Sequence, residues 1–401
     1  MKSQEDASAR QDPEVAYEGP LALEISVDKA REQLLRDSRT LLIDLRGEGE
    51  LCLGRMEGAR MVAPVLLEEE IGRLTKDKET PVLVYCAVGR VSLRAVERLR
   101  KMGFANARSI AGGYNAWLDA GAPIAAEGVF TPAQLDRYSR NMLLTEIGQE
   151  GQMRLMQARV LLVGAGGLAS SAALYLAGAG VGTIGLVDFD KVSLSNLNRQ
   201  VIHGTNDVGR PKVDSAKSAI ERLNPDVSVV TYRELFTPEN ALEIVEDFDV
   251  VMDASDNIGT KFLTHDASYL AGKPYIFGGA VQFDGQACVF WPKKSGPCLR
   301  CIFPVPPAQN LTPSCSQVGV LGMVPGHIGL IQATEAVKLI LGIGTPMLGK
   351  FYIYNALSLS ASFIDIGRRP GCELCGEYPT IRTLTGEGSV DYEMNVCELG
   401  Y

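Results

Sequence analysis

ARVLLVGAGGLASSAALYLAGAG (residues 158–180) and TIGLVDFD (residues 183–190) decide the fold. An apolar run ends in a glycine turn, a helix of small residues follows, and a second apolar run ends in acids. That is strand, turn, helix, strand, the opening of a mainly parallel α/β sheet. The run from Val160 to Val187 is long enough to suggest a membrane span, but its glycines divide it into these pieces. Gly164, Gly166 and Ala169 make a G-x-G-x-x-A turn. Such glycines let a phosphate or ribose approach the backbone, and the next helix N-terminus favours negative charge. Asp188, at the end of the second strand, is placed to hold ribose hydroxyls. To this point a dinucleotide enzyme fits as well as any other nucleotide enzyme.

The polar residues downstream separate the readings. DFDKVSLSNLNRQ carries Asp190, Asn196 and Arg199; GRPKV carries Lys212; DASDN carries Asp256; RYSRNM, upstream, carries Arg140. Two arginines, a lysine and carboxylates around a glycine turn suit ATP with Mg2+. An NAD-linked oxidoreductase, the alternative on the same fold, has little use for so many cations directed at phosphate.

Two C-x-x-C pairs, Cys298/Cys301 in PCLRC and Cys372/Cys375 in GCELC, have the spacing of a four-thiolate Zn2+ site. Four thiolates close the coordination sphere, so the metal is expected to be structural. Cys86 differs. It ends the apolar run PVLVYC, and the loop CAVGRV leads into a helix whose N-terminus would stabilise a thiolate. A phosphatase loop would need arginine six places after the cysteine, where this chain has Ser92. Cys315, in the Pro-flanked NLTPSCSQVG, is a second candidate thiol on an exposed segment. Cys52, Cys288 and Cys397 read as small apolar residues.

Residues 1–20 are polar, lack a signal-peptide core and read as a disordered leader. Residues 21–125 form a first α/β domain: TLLIDL and PVLVYC are strands, and SLRAVERLRKMG is a helix with Ser92 as N-cap and Gly103 as stop. Residues 126–137, which overlap the small, Pro-containing stretch Gly121–Gln134, read as a linker. Residues 138–401 form the second domain. There VDSAKSAIERLNP is a helix, FDVVMDASDN a strand, KPYIFGGAVQFDGQACVFWP a strand pair, and HIGLIQATEAVKLILG a helix after a Pro-rich segment from Pro304 to Pro325. The formal net charge of −9 argues against nucleic acid as direct ligand. No membrane partner is expected. Nine cysteines without an export signal point to the reducing cytoplasm.

From about Tyr138 to Arg382 the chain resembles the MoeB/ThiF family, bacterial relatives of ubiquitin-activating enzymes. RYSRNMLLTEIGQEGQ, VGAGGLAS, DFDKVSLSNLNRQ, GRPKV, DASDN, PCLRCIFP, VGVLG and the last C-x-x-C carry the resemblance in order. Ala169 stands where many members have glycine. The resemblance implies a Rossmann-like ATP-binding domain with a mixed sheet and a structural zinc site. It implies ATP contacts from Arg140, Gly167, Asp188, Asn196, Arg199 and Lys212, with Asp256 serving Mg2+. Arg140 is the candidate for an arginine supplied across a homodimer. Cys298, Cys301, Cys372 and Cys375 match the zinc ligands, and Cys315 matches a crossover-loop cysteine that can bond covalently to a carrier or sulfur donor.

Residues from about Ile25 to Ile124 resemble a rhodanese domain through LLIDLRGEGE, GRMEGAR, VLVYCAVGRVS and IAGGYNAWLDAGAPI. By that resemblance Cys86 carries a persulfide. Val91 stands where rhodanese loops often have arginine, with Arg90 one place earlier. Together the resemblances imply adenylation of the C-terminal glycine carboxylate of a small ubiquitin-like sulfur carrier of the MoaD or ThiS kind. Sulfur would then pass from Cys86 to give a thiocarboxylate, with a cysteine desulfurase or thiosulfate as donor. The alternative is an adenylyltransferase whose rhodanese-like domain only docks partners.

Overall fold

A computed structural model describes residues 23–47, 54–125, 130–294, 296–305 and 318–392. The chain separates into two units, Met1–Leu143 and Leu144–Tyr401.

In the first unit the strands are β1 (Glu24–Ile25), β2 (Leu41–Asp44), β3 (Arg55–Met56), β4 (Arg60–Met61), β5 (Val82–Tyr85), β6 (Ala107–Ile110) and β7 (Ile124–Ala125). The helices are α1 (Val27–Arg36), α2 (Leu67–Leu74), α3 (Arg90–Lys101), α4 (Gly113–Asp119) and α5 (Pro132–Met142). Five strands form a parallel sheet in the order β1-β6-β5-β2-β4. The central β5 is apolar throughout and wholly buried, as a parallel strand covered on both faces must be. The α3 stripe of Ala95, Val96 and Leu99 packs on it. That helix starts earlier than the sequence suggests. Gly89, at φ +90°, is the N-cap, and Ser92, expected in that role, lies inside the first turn and fully buried. Residues 132–137, read as linker, form the first turns of α5, held by a capping box between Thr131 and Gln134.

The second unit contains α6 (Gly148–Gln157), β8 (Arg159–Val163), α7 (Gly167–Ala179), β9 (Thr183–Val187), α8 (Lys212–Leu223), β10 (Ser228–Tyr232), α9 (Ala241–Glu246) and β11 (Val250–Asp253). Then come α10 (Ile258–Leu270), β12 (Tyr275–Val281), β13 (Asp284–Phe290), α11 (Leu299–Ile302), α12 (Met323–Leu341), β14 (Lys350–Asn355) and β15 (Ser360–Asp365). The eight strands run in the order β10-β9-β8-β11-β12-β13-β14-β15. The pairs from β10 to β12 are parallel and those from β12 to β15 antiparallel, so the sheet is mixed, as expected. The chain leaves β8 to form β9 on one side and β11 on the other. That reversal opens a crevice at the strands' carboxyl ends, where such sheets bind ligands.

Small residues let α7 and α12 pack closely behind this crevice. A Cβ on Gly329 would stand 2.2 Å from the Leu168 carbonyl and 2.3 Å from Ser171 Oγ. The helix α12 begins at Met323, so Pro325 lies in its first turn, where a missing N–H costs nothing. No helix among the described residues is long and apolar enough to cross a membrane.

Candidate functional site

The crevice gathers six of the residues singled out from the sequence. Gly164 takes φ +100°, and a Cβ there would stand 2.7 Å from the Ala254 carbonyl, so only glycine fits. Gly166 and Gly167 follow at the start of α7. Asp188 directly follows β9 and accepts from the Ala165 and Asp190 amides, both at 2.8 Å. Lys212 opens α8 nearly sealed from solvent, its Nζ 2.6 Å from Asp190 Oδ2 and 4.0 Å from Asp188 Oδ2. Burial pushes the Asp188 carboxyl above its ordinary pKa, against the pull of Lys212 and the two amides.

Of the remaining candidates, Asn196, Arg199 and Asp256 lie on connecting segments and Arg140 on a helix. Asn196 accepts from the Ser193 amide at 3.1 Å. Arg199 Nη1 donates to the Ser195 carbonyl at 3.1 Å and to Asn198 Oδ1 at 3.0 Å, and its carbonyl would meet a Gly167 Cβ at 3.5 Å. Asp256 is exposed on the loop after β11, the loop whose Ala254 abuts Gly164. Arg140 is exposed on α5, in the first unit.

Two functional candidates escape a reading of the sequence. Gln200 is buried, and its Oε1 has no hydrogen-bond partner among the described residues, while its Nε2 would meet a Gly166 Cβ at 3.7 Å. An orphaned acceptor beside a glycine turn fits a nucleotide donor group. The only signal was its place directly after Arg199. Lys261 is the other: its buried ammonium donates to Asp253 Oδ2 (2.8 Å), the Ser255 carbonyl (2.7 Å) and the Gly278 carbonyl (2.6 Å). It thereby pins the loop carrying Asp256, and no motif marks it.

The four cysteines of the C-x-x-C pairs converge. All four Sγ atoms lie within 4.8 Å of one another, with Cys298–Cys301 at 3.9 Å, Cys298–Cys372 at 3.5 Å and Cys301–Cys375 at 3.3 Å. A tetrahedral zinc with Zn–S near ~2.3 Å needs sulfurs about 3.8 Å apart, so the set fits the metal. Hydrogen bonding to Cys372 holds the Cys298 thiol far above its usual pKa, and the same contact holds Cys372 far below. Sulfurs this close cannot all be charged unless a cation shares the space. Behind them, Arg300 of PCLRC makes a buried fork onto Asp266, at 2.9 and 2.7 Å. His265 accepts from the Leu299 amide at Nε2 (3.0 Å), which leaves its Nδ1 proton for Asp266 (2.8 Å).

Cys86, in the first unit, directly follows β5 and is only 5% exposed. Burial raises its thiol pKa, but the Ser92 hydroxyl and the Ser92, Val88 and Val91 amides outweigh it and leave the pKa below the usual thiol value. The loop is braced by the turn at Gly112–Gly113. The Tyr114 amide donates to the Cys86 carbonyl at 2.8 Å, and a Cβ on Gly113 would stand 2.2 Å from that same oxygen. Val88 and Val91 are exposed at the rim. Cys288 is buried on β13, where burial pushes its thiol far up, in keeping with a core residue. Cys315, Cys52 and Cys397 lie outside the described residues.

Comparison with known proteins gives the family of each part of the chain. The ThiF family model matches residues 138–374, and the Rhodanese-like domain model matches residues 26–120. The sulfur carrier protein adenylyltransferase of Thermus thermophilus is 47% identical over 268 residues, which are 66% of this chain and 97% of that protein. The probable adenylyltransferase/sulfurtransferase MoeZ of Mycobacterium tuberculosis is 46% identical over 263 residues, 65% of this chain but 64% of its own length. Among solved structures, E. coli MccB with ATP superposes with a TM-score of 0.53 at 24% identity, covering 60% of this chain and 73% of that one. A likeness at that identity speaks to the fold alone.

Proposed function

The chain belongs to the ThiF family and carries a rhodanese-like domain, and from that premise we propose that it activates the C-terminal carboxylate of a small ubiquitin-like sulfur-carrier protein with ATP and loads it with sulfur from Cys86. The observation that carries the reading is the Cys86 loop, its sulfur 3.4 Å from the Ser92 hydroxyl, in the same chain as a glycine turn flanked by Asp188 and Lys212. The name of the Thermus relative, covered almost end to end, supports the carrier as substrate.

In the first step a carboxylate oxygen of the carrier attacks the α-phosphorus of ATP. The bond to the β-phosphate breaks, pyrophosphate leaves, and an acyl-adenylate remains. Asp188 holds ribose hydroxyls, Gln200 Oε1 accepts from the nucleoside, and Lys212 and Arg199 neutralise developing charge. Arg140 adds a cation across a homodimer. Asp256 is the carboxylate for Mg2+, which needs few protein ligands beside phosphate oxygens and supplies charge neutralisation when bound. In the second step the outer sulfur of a Cys86 persulfide attacks the acyl carbon and AMP leaves. A thiol then attacks Cys86 Sγ, which frees the thiocarboxylate and leaves a disulfide on the enzyme. Holding both units in one chain raises the local concentration of sulfur donor. The four-cysteine cluster holds structural Zn2+. The free thiols on which this chemistry depends suit the reducing cytoplasm.

The test is ATP–pyrophosphate exchange with candidate carriers, followed by intact carrier mass after addition of a desulfurase or thiosulfate. Carrier-dependent exchange and replacement of one oxygen by sulfur are expected, and Cys86→Ala should lose the second while keeping the first. Absence of exchange with every carrier sinks the adenylation step. A full thiocarboxylate yield from Cys86→Ala leaves the rhodanese-like domain as a docking module.

A further inference from the structure

Behind Cys86 lies a chain of buried hydroxyls. Ser109 Oγ on β6 donates to Ser92 Oγ at 2.9 Å. Ser92 Oγ donates to the Gly89 carbonyl at 3.1 Å and lies 3.4 Å from Cys86 Sγ. Both serines are fully buried. A hydroxyl has one proton, so while Ser92 spends it on Gly89 it offers the sulfur only a lone pair, and the Cys86 S–H must be the donor. Loss of the thiol proton leaves an anion facing an oxygen. The remedy is within reach. The Gly89 carbonyl also accepts from the Leu93 amide at 3.1 Å, so releasing the serine orphans nothing. Ser109 keeps its own bond to the serine oxygen throughout.

We propose that Ser92 is a catalytic hydroxyl of sulfur loading, whose proton swings from the Gly89 carbonyl to the Cys86 sulfur as the thiol ionises, with Ser109 as the positioning residue that fixes its oxygen. The proposal rests on Cys86 being the sulfur-carrying thiol. In the step it serves, the Cys86 thiolate attacks the terminal sulfur of a donor persulfide. A new S–S bond forms at Cys86, the donor's S–S bond breaks, and the donor's inner sulfur leaves as a thiolate. The device supplies a donor to the anion from behind the loop.

The charged groups nearby do not duplicate it. Arg90 and Arg94 on α3 are exposed. Arg108 points to the opposite face of β6 from Ser109 by strand alternation. Asp44, the last residue of β2, and Arg46 are buried against each other at 2.7 Å. The helix α4 contributes backbone, through the Tyr114 and Asn115 amides.

The experiment is the pH profile of Cys86 alkylation by iodoacetamide in the full-length chain, read from the mass of the Cys86 peptide so that other thiols do not interfere. Ser92→Ala should raise the midpoint by about one, a tenfold fall in rate near neutral pH. Ser109→Ala should move it the same way by less, and Ser92→Thr, which keeps the hydroxyl, should restore it. If Ser92→Ala fails to fold, Ser109→Ala and Ser92→Thr carry the test. Profiles of Ser92→Ala and Ser109→Ala that coincide with the parent overturn the proposal. A parent midpoint at the ordinary thiol value instead overturns the reading of Cys86 itself, which is a different failure.

Discussion

Lys212 touches Asp190 directly and stands 4.0 Å from Asp188, whose pKa burial has already raised. Lys212→Ala is therefore expected to do two things. Carrier-dependent pyrophosphate exchange should fall by about 10²–10³-fold, the usual loss for one preorganised donor to a developing charge. The variant should also melt lower, and the deficit should depend on pH. A carboxylate whose folded pKa lies above its unfolded value weakens the fold as pH rises from the unfolded value through the folded one. Removing the ammonium raises the folded value further. The gap between variant and parent should be small near about pH 4 and widest near about pH 7 in thermal melts. A gap that does not change with pH would show that the carboxylate does not feel the lysine. Asp188 is legible in the sequence because it ends the apolar run about twenty residues after the glycine turn, and Lys212 because GRPKV places a cation in the polar set downstream. Gln200 and Lys261 are not, since an unsatisfied acceptor or a buried ammonium exists only once distant strands surround it.

The close approach of α7 and α12 makes its own demand. Gly329 faces the Leu168 carbonyl at a distance no side chain can occupy, whereas a Cβ on Gly326, one turn earlier, would meet nothing within 4 Å. Gly329→Ala should therefore destabilise by about 1–3 kcal/mol in urea denaturation, the cost of overpacking a fitted contact. Gly326→Ala on the same helix should be neutral or stabilise by up to about 1 kcal/mol, since alanine lowers the entropy of the unfolded chain. Equal effects at both positions would mean the helices are free to separate. Elements of this kind were readable as far as their apolar period reached: β8, α7, β9 and α12 all show in the sequence. Prolines mark boundaries, so the sequence predicts α12 from His327, yet Pro325 fits the first turn. The edge strand β15 escapes the sequence because it is exposed along its whole length and offers no alternation to detect. Ser92 departs from its expected role for a related reason. A serine near a helix start reads as a cap, and only the φ of Gly89 shows that the cap lies three residues earlier.

At the scale of the molecule, the metal cluster ties together segments far apart in the chain. The Cys298–Cys372 and Cys301–Cys375 contacts each span 74 residues. All four cysteines belong to the second unit, and Arg300, between two of them, anchors α11 to Asp266 on α10. A link closing a loop of that length removes about 4 kcal/mol of unfolded-state freedom in the chain-entropy account. Zinc bound to thiolates also withholds protons that free thiols would take up, so its hold should weaken in acid. The purified chain is therefore expected to release one zinc per protomer to a metallochromic indicator on thiol modification. A strong chelator should lower the melting temperature of the ThiF unit, and added zinc should restore it. Cys298→Ser and Cys375→Ser should each reproduce the chelated state and no longer respond to chelator, because three sulfurs cannot close the tetrahedron. Cys288→Ser is the control, a buried thiol outside the cluster whose loss should leave the zinc content at one. If the parent melts identically with and without chelator and yields no zinc, the four sulfurs are a packed thiol cluster held by the Arg300–Asp266 anchor alone. Arg300→Met would then be the costly substitution, by about 3–5 kcal/mol for a broken buried ion pair, and the two arms together distinguish a fold closed by metal from one closed by charge.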